Sequence, residues 1–331
     1  MNPSSLLGRV LALFLAVTAL AVRADDPAPP TEGRVRAALT RSLDFLAREG
    51  DQWMNDRDCN ACHHMPELIW SQREAQRRGL AIDGKKFAEI VEWTEERAKK
   101  AKASDESLAF LKLALPDTAA PEITKLIVDG QQADGTWKPG GQFAGGQRRG
   151  APEATENAAR LFLLALATQE ADQPATEAAR TKAAELIGKN EPAKSVETLV
   201  FRTLYARRFG PPEEAVARRG EILQLQHPDG GWGWMIGEAL SDPLATGEVL
   251  YVLQQAPEAS CADAIARGRE WLLGSQREDG GWAIDITRIS KNDRSAPEKA
   301  KSFKDATGIY TFFGSAWATI GLLQSLPLVK D

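Results

Sequence analysis

The stretch Cys59-Asn60-Ala61-Cys62-His63-His64 holds two of the chain's three cysteines and two of its three histidines. Two thiols three positions apart with an imidazole directly behind them form Cys-x-x-Cys-His, the attachment pattern of covalent haem c. The spacing suits that chemistry: the thiols of Cys59 and Cys62 reach the two vinyl groups on one porphyrin edge, and His63 reaches the iron from the same side. His63 would then be the proximal ligand. His64 and Met65 lie too close along the chain to reach the opposite face, which leaves His227, Met235 or Met54 as distal candidates. An open sixth position suits ligand or peroxide chemistry, and a filled one suits electron transfer. Two other chemistries use the same atoms: a disulfide in an oxidising compartment, or zinc held by both thiolates with His63 or His64. His227, in Gln226-His227-Pro228-Asp229, also reads as a solvated turn residue.

The start of the chain fits export. Arg9 gives a basic region, Val10 to Val22 is an almost unbroken apolar run, and Val22-Arg23-Ala24 offers small residues at a cleavage point. Residues 1–24 therefore read as a secretory signal peptide, with a retained anchor as the alternative because Arg23 crowds the cleavage site. Residues 25–33 read as a Pro-rich spacer, and residues 34–331 as one domain. The net charge of −5 becomes two units more negative when Arg9 and Arg23 leave with the signal. A mildly acidic chain has no electrostatic footprint for nucleic acid. No further apolar run is long enough to span a bilayer, so the expected location is periplasmic or secreted.

The elements that must carry the motif announce themselves as a repeat. Gln131 to Trp137, Gln226 to Trp232 and Gln276 to Trp282 each read glutamine, three residues, glycine, one residue, tryptophan. Trp232 and Trp282 are one unit apart, and Trp137 and Trp232 nearly two, so one unit lacks its tryptophan, near Gly188-Lys189-Asn190. Trp53 falls two units before Trp137, in what reads as a degenerate turn at Gly50-Asp51-Gln52-Trp53. Each unit divides into two helices. First helices are charged on one side; second helices, such as 158–167 and 312–324, are apolar almost all round and therefore buried. Period-two alternation is nearly missing, so strands are few. The expected fold is all-α: six helical hairpins closed into a double-layered α/α toroid, because an open stack would expose a large apolar inner face.

Arg267, Gly268, Trp271, Leu272, Gln276, Gly280 and Trp282 together resemble, position by position, the QW repeat of squalene-hopene and oxidosqualene cyclases. The other two copies keep only the Gln-Gly-Trp end. The resemblance implies the terpene-cyclase and protein-prenyltransferase toroid, and squalene- or terpene-cyclase-like chemistry or isoprenoid binding. It does not extend to the cyclase acid motif Asp-x-Asp-Asp, since Asp56-Arg57-Asp58 is ended by Cys59. Nor does it extend to Asp-Asp-x-x-Asp, or to the prenyltransferase zinc site, whose Asp-x-Cys appears reversed in Cys261-Ala262-Asp263.

Other candidates are aromatic or loop-borne. Trp232, Trp234 and Trp282, with Asp285 just beyond and Trp317 further on, could line a cavity for an apolar or cationic ligand, although the first and third mainly brace helices in QW repeats. Residues 283–308 read as a long polar insertion, and 140–151 as a flexible loop without the Lys-Ser/Thr ending of a phosphate loop. The leading expectation is an exported toroid with one covalent haem c, acting in electron transfer or small-molecule redox chemistry with a redox partner protein. The alternative is a cyclase-like or isoprenoid-binding protein that takes a small apolar ligand, its Cys/His cluster structural.

Overall fold

The structure is a computed structural model that describes residues 32–58, 64–102, 105–140, 143, 147–168, 174–188, 191–255, 258–284 and 296–329. Twelve α-helices occur among them. The outer helices are α1 (Glu32–Asp56), α3 (Gly84–Ala98), α5 (Pro121–Asp129), α7 (Pro174–Gly188), α9 (Pro212–Leu223) and α11 (Ala262–Ser275). The inner ones are α2 (Met65–Gln76), α4 (Glu106–Ala114), α6 (Ala151–Leu166), α8 (Val196–Phe209), α10 (Pro243–Gln254) and α12 (Ala296–Leu323). Helix starts follow local chemistry. Asp83, Asp105, Ser195 and Asp242 accept backbone N–H bonds as caps. Proline occupies the first turn of α2, α5, α6, α9 and α10, where its missing N–H costs nothing.

Each inner helix packs on the next, and α12 packs on both α10 and α2, so the α/α toroid is closed as the apolar inner faces require. The three tryptophan turns show how. Gln131 Nε2 donates to the carbonyl of its own turn glycine, Gly135 (3.0 Å), and to Ala179 on α7 (2.7 Å). Gln226 bonds Gly230 and Ala264 on α11, both at 2.8 Å. Gln276 bonds Gly280 and Ala38 on α1, both at 2.9 Å. The last bond ties the final unit to the first.

Gly280 explains its own identity: its φ is +92°, and a Cβ there would sit 2.1 Å from the carbonyl oxygen of Arg41. Only glycine lets the turn approach α1 so closely. The tryptophans then fold back on the helix they follow, donating from Nε1 to Ile127 (2.8 Å), Ile222 (2.9 Å) and Leu272 (2.9 Å).

Two boundaries differ from the sequence reading. Gly50 to Trp53 is not a turn: α1 continues through it to Asp56. Gly50 is needed because Leu68 Cδ2 of α2 lies 2.4 Å from where its Cβ would be. The insertion expected at 283–308 is shorter, because α12 begins at Ala296. Ala296-Pro297-Glu298 repeats the opening of α6, Ala151-Pro152-Glu153, with proline in the first turn. Lys189 and Asn190, where the unit without a tryptophan was expected, lie outside the described residues. No helix among the described residues is long and apolar enough to cross a membrane.

Candidate functional site

The inner helices run parallel in role, each entered from an outer helix, so the barrel has two chemically separate ends. Connections at the N-terminal end include 130–150, 224–242 and 276–295. Those at the C-terminal end are shorter: 77–83, 115–120, 167–173, 210–211 and 255–261. Long loops on a rigid scaffold are where function concentrates.

Carboxylates gather at the N-terminal end, where the helix dipole favours them. Glu67 and Glu106 sit in the first turns of α2 and α4, Glu197 in that of α8, and Glu248 on α10. Glu197 is bound bidentately by Arg149 (2.5 and 2.7 Å) and by Asn157 Nδ2 (3.0 Å), with both charged side chains 1% exposed. Burial pulls the Arg149 pKa down, but the Glu197 charge outweighs it and leaves the guanidinium more firmly protonated than usual. Its Cζ lies 4.8 Å from the Trp234 ring and 5.3 Å from Phe143.

The other acids lack such support. Glu106 Oε1 accepts from Gly140 N at 2.6 Å, while Oε2 has no hydrogen-bond partner; burial raises its pKa to about 7. Glu248 is raised well above its usual value by burial and then by the Glu197 charge, and its Oε2 is unpartnered. Glu67 is raised by burial, with both carboxyl oxygens unpartnered. Buried acids pushed toward their neutral form, with Glu106 and Glu248 within reach of the charges of the Arg149–Glu197 pair, are a functional signal. Sequence reading missed this group because Glu67, Glu106 and Glu197 look like ordinary first-turn acids and Glu248 like a single charge in an apolar helix.

At the opposite end lies an axial cavity of about 400 Å³. Every inner helix supplies wall: Trp70, Phe110, Leu161, Phe201, Tyr251 and Trp317, in chain order. Trp70, Tyr251 and Trp317 form an aromatic corner with ring centroids 5.5 to 5.8 Å apart. Arg207 and Arg208, ending α8, stand at the mouth with Thr168 and Gln255. The volume falls in the range of about 300–1,000 Å³ typical of small-molecule sites.

The sequence-predicted residues divide among these places. Cys59, Cys62 and His63 lie outside the described residues, as does Asp285. Their neighbour His64 is buried between Trp53 (4.0 Å between centroids) and Phe312 (4.1 Å), which seats the start of α2 in the wall. Met54 is partly buried near the end of α1. His227 Nδ1 lies 3.0 Å from Ser241 Oγ, which donates to Asp229 (2.7 Å), so its ring belongs to a local turn network. That turn packs on α11 and the next one on α1, so a hairpin separates His227 from the α1–α2 connection. Met235 forms an isolated antiparallel bridge with Ser195. Trp232 and Trp282 are fully buried as braces and do not border the axial cavity, whereas Trp317 does. Trp234 borders a second cavity of about 360 Å³ at the N-terminal end, beside Gln147, Glu238 and Asp242.

No protein-family model matches the chain. Solved structures similar to it include glycosidases and terpene cyclases. An unsaturated glucuronyl hydrolase from Streptococcus agalactiae superposes with a TM-score of 0.59 at 10% identity, over 91% of this chain and 94% of that one. One from Bacillus sp. GL1 gives 0.56 at 14% identity, over 88% and 96%. A single-site variant of the type II terpene cyclase MstE from Scytonema, in complex with its substrate geranylgeranyl dihydroxybenzoate, gives 0.54 at 12% identity, over 88% and 97%. At these identities the likeness establishes the fold: an α/α toroid of the kind found in glycosidases and terpene cyclases.

Proposed function

We propose that this chain binds an elongated apolar ligand of the isoprenoid class in its axial cavity, the terpene-cyclase-like reading of the fold. The observation that carries it is the cavity itself, with one apolar or aromatic wall residue from each inner helix. MstE, of similar fold, is bound to a geranylgeranyl substrate. The missing Asp-x-Asp-Asp motif keeps this a proposal of binding rather than of cyclisation. Titration with farnesol should quench tryptophan fluorescence saturably, because Trp70 and Trp317 line the wall. Leu164→Arg, which puts a charge in the same lining, should abolish the quench. A native chain that binds no isoprenoid alcohol would overturn the reading.

A second reading rests on Cys59-x-x-Cys62-His63: covalent haem c at the N-terminal end, serving redox chemistry in an exported protein. In sequence the motif falls between α1 and α2, and the residue that follows it, His64, stacks between Trp53 and Phe312. The donor set, two thiols and an imidazole, suits haem c, and Cys59, Cys62 and His63 would hold it. Bound haem would supply one-electron chemistry. Protein made with haem c maturation should show a Soret band and a covalent mass gain, and Cys62→Ala should lose the two-linkage attachment. Stoichiometric zinc without a Soret band would assign the cluster to zinc instead.

A further inference from the structure

The polar groups around the axial cavity are nearly all donors. Trp317, 3% exposed in the cavity wall, has no acceptor for its Nε1–H. The Tyr251 hydroxyl stays protonated, since burial and then the Glu74 charge push its pKa up. Arg207 donates to Gln255 Oε1 at 3.0 Å and Arg208 to the Ala167 carbonyl at 3.1 Å, partners that carry no charge. Among the described residues neither guanidinium forms an ion pair, and no carboxylate borders the cavity. The uncharged side chains there are engaged as well: Gln255 Oε1 accepts from Arg207 and its Nε2 donates to Gln324, while Thr168 Oγ1 donates to the Ala165 carbonyl (2.8 Å).

A cation in the last turn of α8 complements the helix dipole, and that alone accounts for one basic residue there. It does not account for two unneutralised guanidiniums and an unpartnered indole N–H around one apolar cavity. Among the described residues the arrangement lacks an anionic acceptor, and guanidinium is the side chain best shaped to bind a carboxylate or phosphate in two-point fashion.

We propose that the ligand of this cavity is an amphiphile with a terminal oxyanion, a carboxylate or phosphate monoester, its chain lying along Trp70, Phe110 and Phe201 and its head pairing with Arg207 and Arg208. This rests on the apolar-ligand reading above and adds the head group to it. The full-length mature protein is titrated with farnesol, farnesoic acid and farnesyl monophosphate, all below their aggregation concentrations. One of the two anions should bind roughly ten-fold or more tightly than farnesol, as expected for a charge-assisted pairing. The tighter anion identifies the head.

In the Arg207→Ala/Arg208→Ala double variant that margin should vanish while farnesol affinity stays unchanged. Both arginines are exposed, and an unchanged melting temperature confirms that the variant is folded. Equal affinity for all three ligands in the native protein overturns the head-group proposal and leaves the apolar-ligand reading standing. Binding of none overturns both.

Discussion

At one end of the inner barrel, first turns carry Glu67, Glu106 and Glu197 into burial, with Arg149 paired to Glu197; at the other, Leu113, Leu164 and Leu204 lead to a cavity walled by aromatic rings. The same six helices build both, so the difference comes from position along the helix rather than from separate domains. Each helix start brings polar caps and long loops. The chain there must satisfy buried charge, and where it does not, acids stay protonated. The helix middles and last turns bring large apolar side chains that cannot all meet on the axis, and a space remains. The proposed ligand would fill that space, while the polar end holds buried charge and protons.

The sharpest way to break this contrast is to strand a charge at the polar end. Arg149→Met would leave Glu197 buried with only Asn157 beside it, and should cost about 3–5 kcal/mol in urea unfolding. A loss below about 1 kcal/mol would mean that water reaches the site and that the two ends differ less than described.

The Glu106 proton gives the next test. Its pKa is raised from 4.5 to about 7, so the stability carried by the folded-state proton is complete below pH 4.5 and is lost as pH rises to about 7. Across that window the stability of the native protein should fall by about 3 kcal/mol relative to Glu106→Gln, whose amide oxygen can still accept from Gly140. Parallel pH profiles of native protein and variant would place Glu106 in a solvated site.

The ring seam, shared by both ends, should respond less. Gly280→Ala forces a Cβ onto the Arg41 carbonyl at a φ of +92°, and should cost about 1–3 kcal/mol in the same unfolding measurement. Smallest of all, Arg207→Ala at the apolar end should change stability by no more than about 0.5 kcal/mol while weakening anion binding. Such a split between affinity and stability would separate a ligand contact from a structural one.

Much of the fold was legible in the sequence because it repeats. Gln276, Gly280 and Trp282 each do one geometric job that any copy must do, so spacing alone exposed the turns and the alternation of charged outer with apolar inner helices. The all-apolar second helices also foretold closure. Gly50 was misread because glycine at a turn and glycine under Leu68 look alike without the neighbour. The start of α12 was obscured by the polar residues that precede its buried half. The sites were less legible. Trp317 could be read as a cavity candidate from its type, but Tyr251 lies in a run of apolar residues where nothing marks the face that meets the axis. The acids Glu67, Glu106 and Glu248 are far apart in sequence and gain their character only from burial. The Cys59 to His63 motif is the reverse case: the expectation it raises rests on local spacing alone, since these residues lie outside those the structure describes.

A crystal structure of the protein with farnesoic acid or farnesyl monophosphate tests the central assignment most directly. Density for the chain should run along the axis between Trp70 and Trp317, with the head beside Arg207 and Arg208. Density instead in the cavity beside Trp234, or none on the axis at saturating ligand, would contradict it.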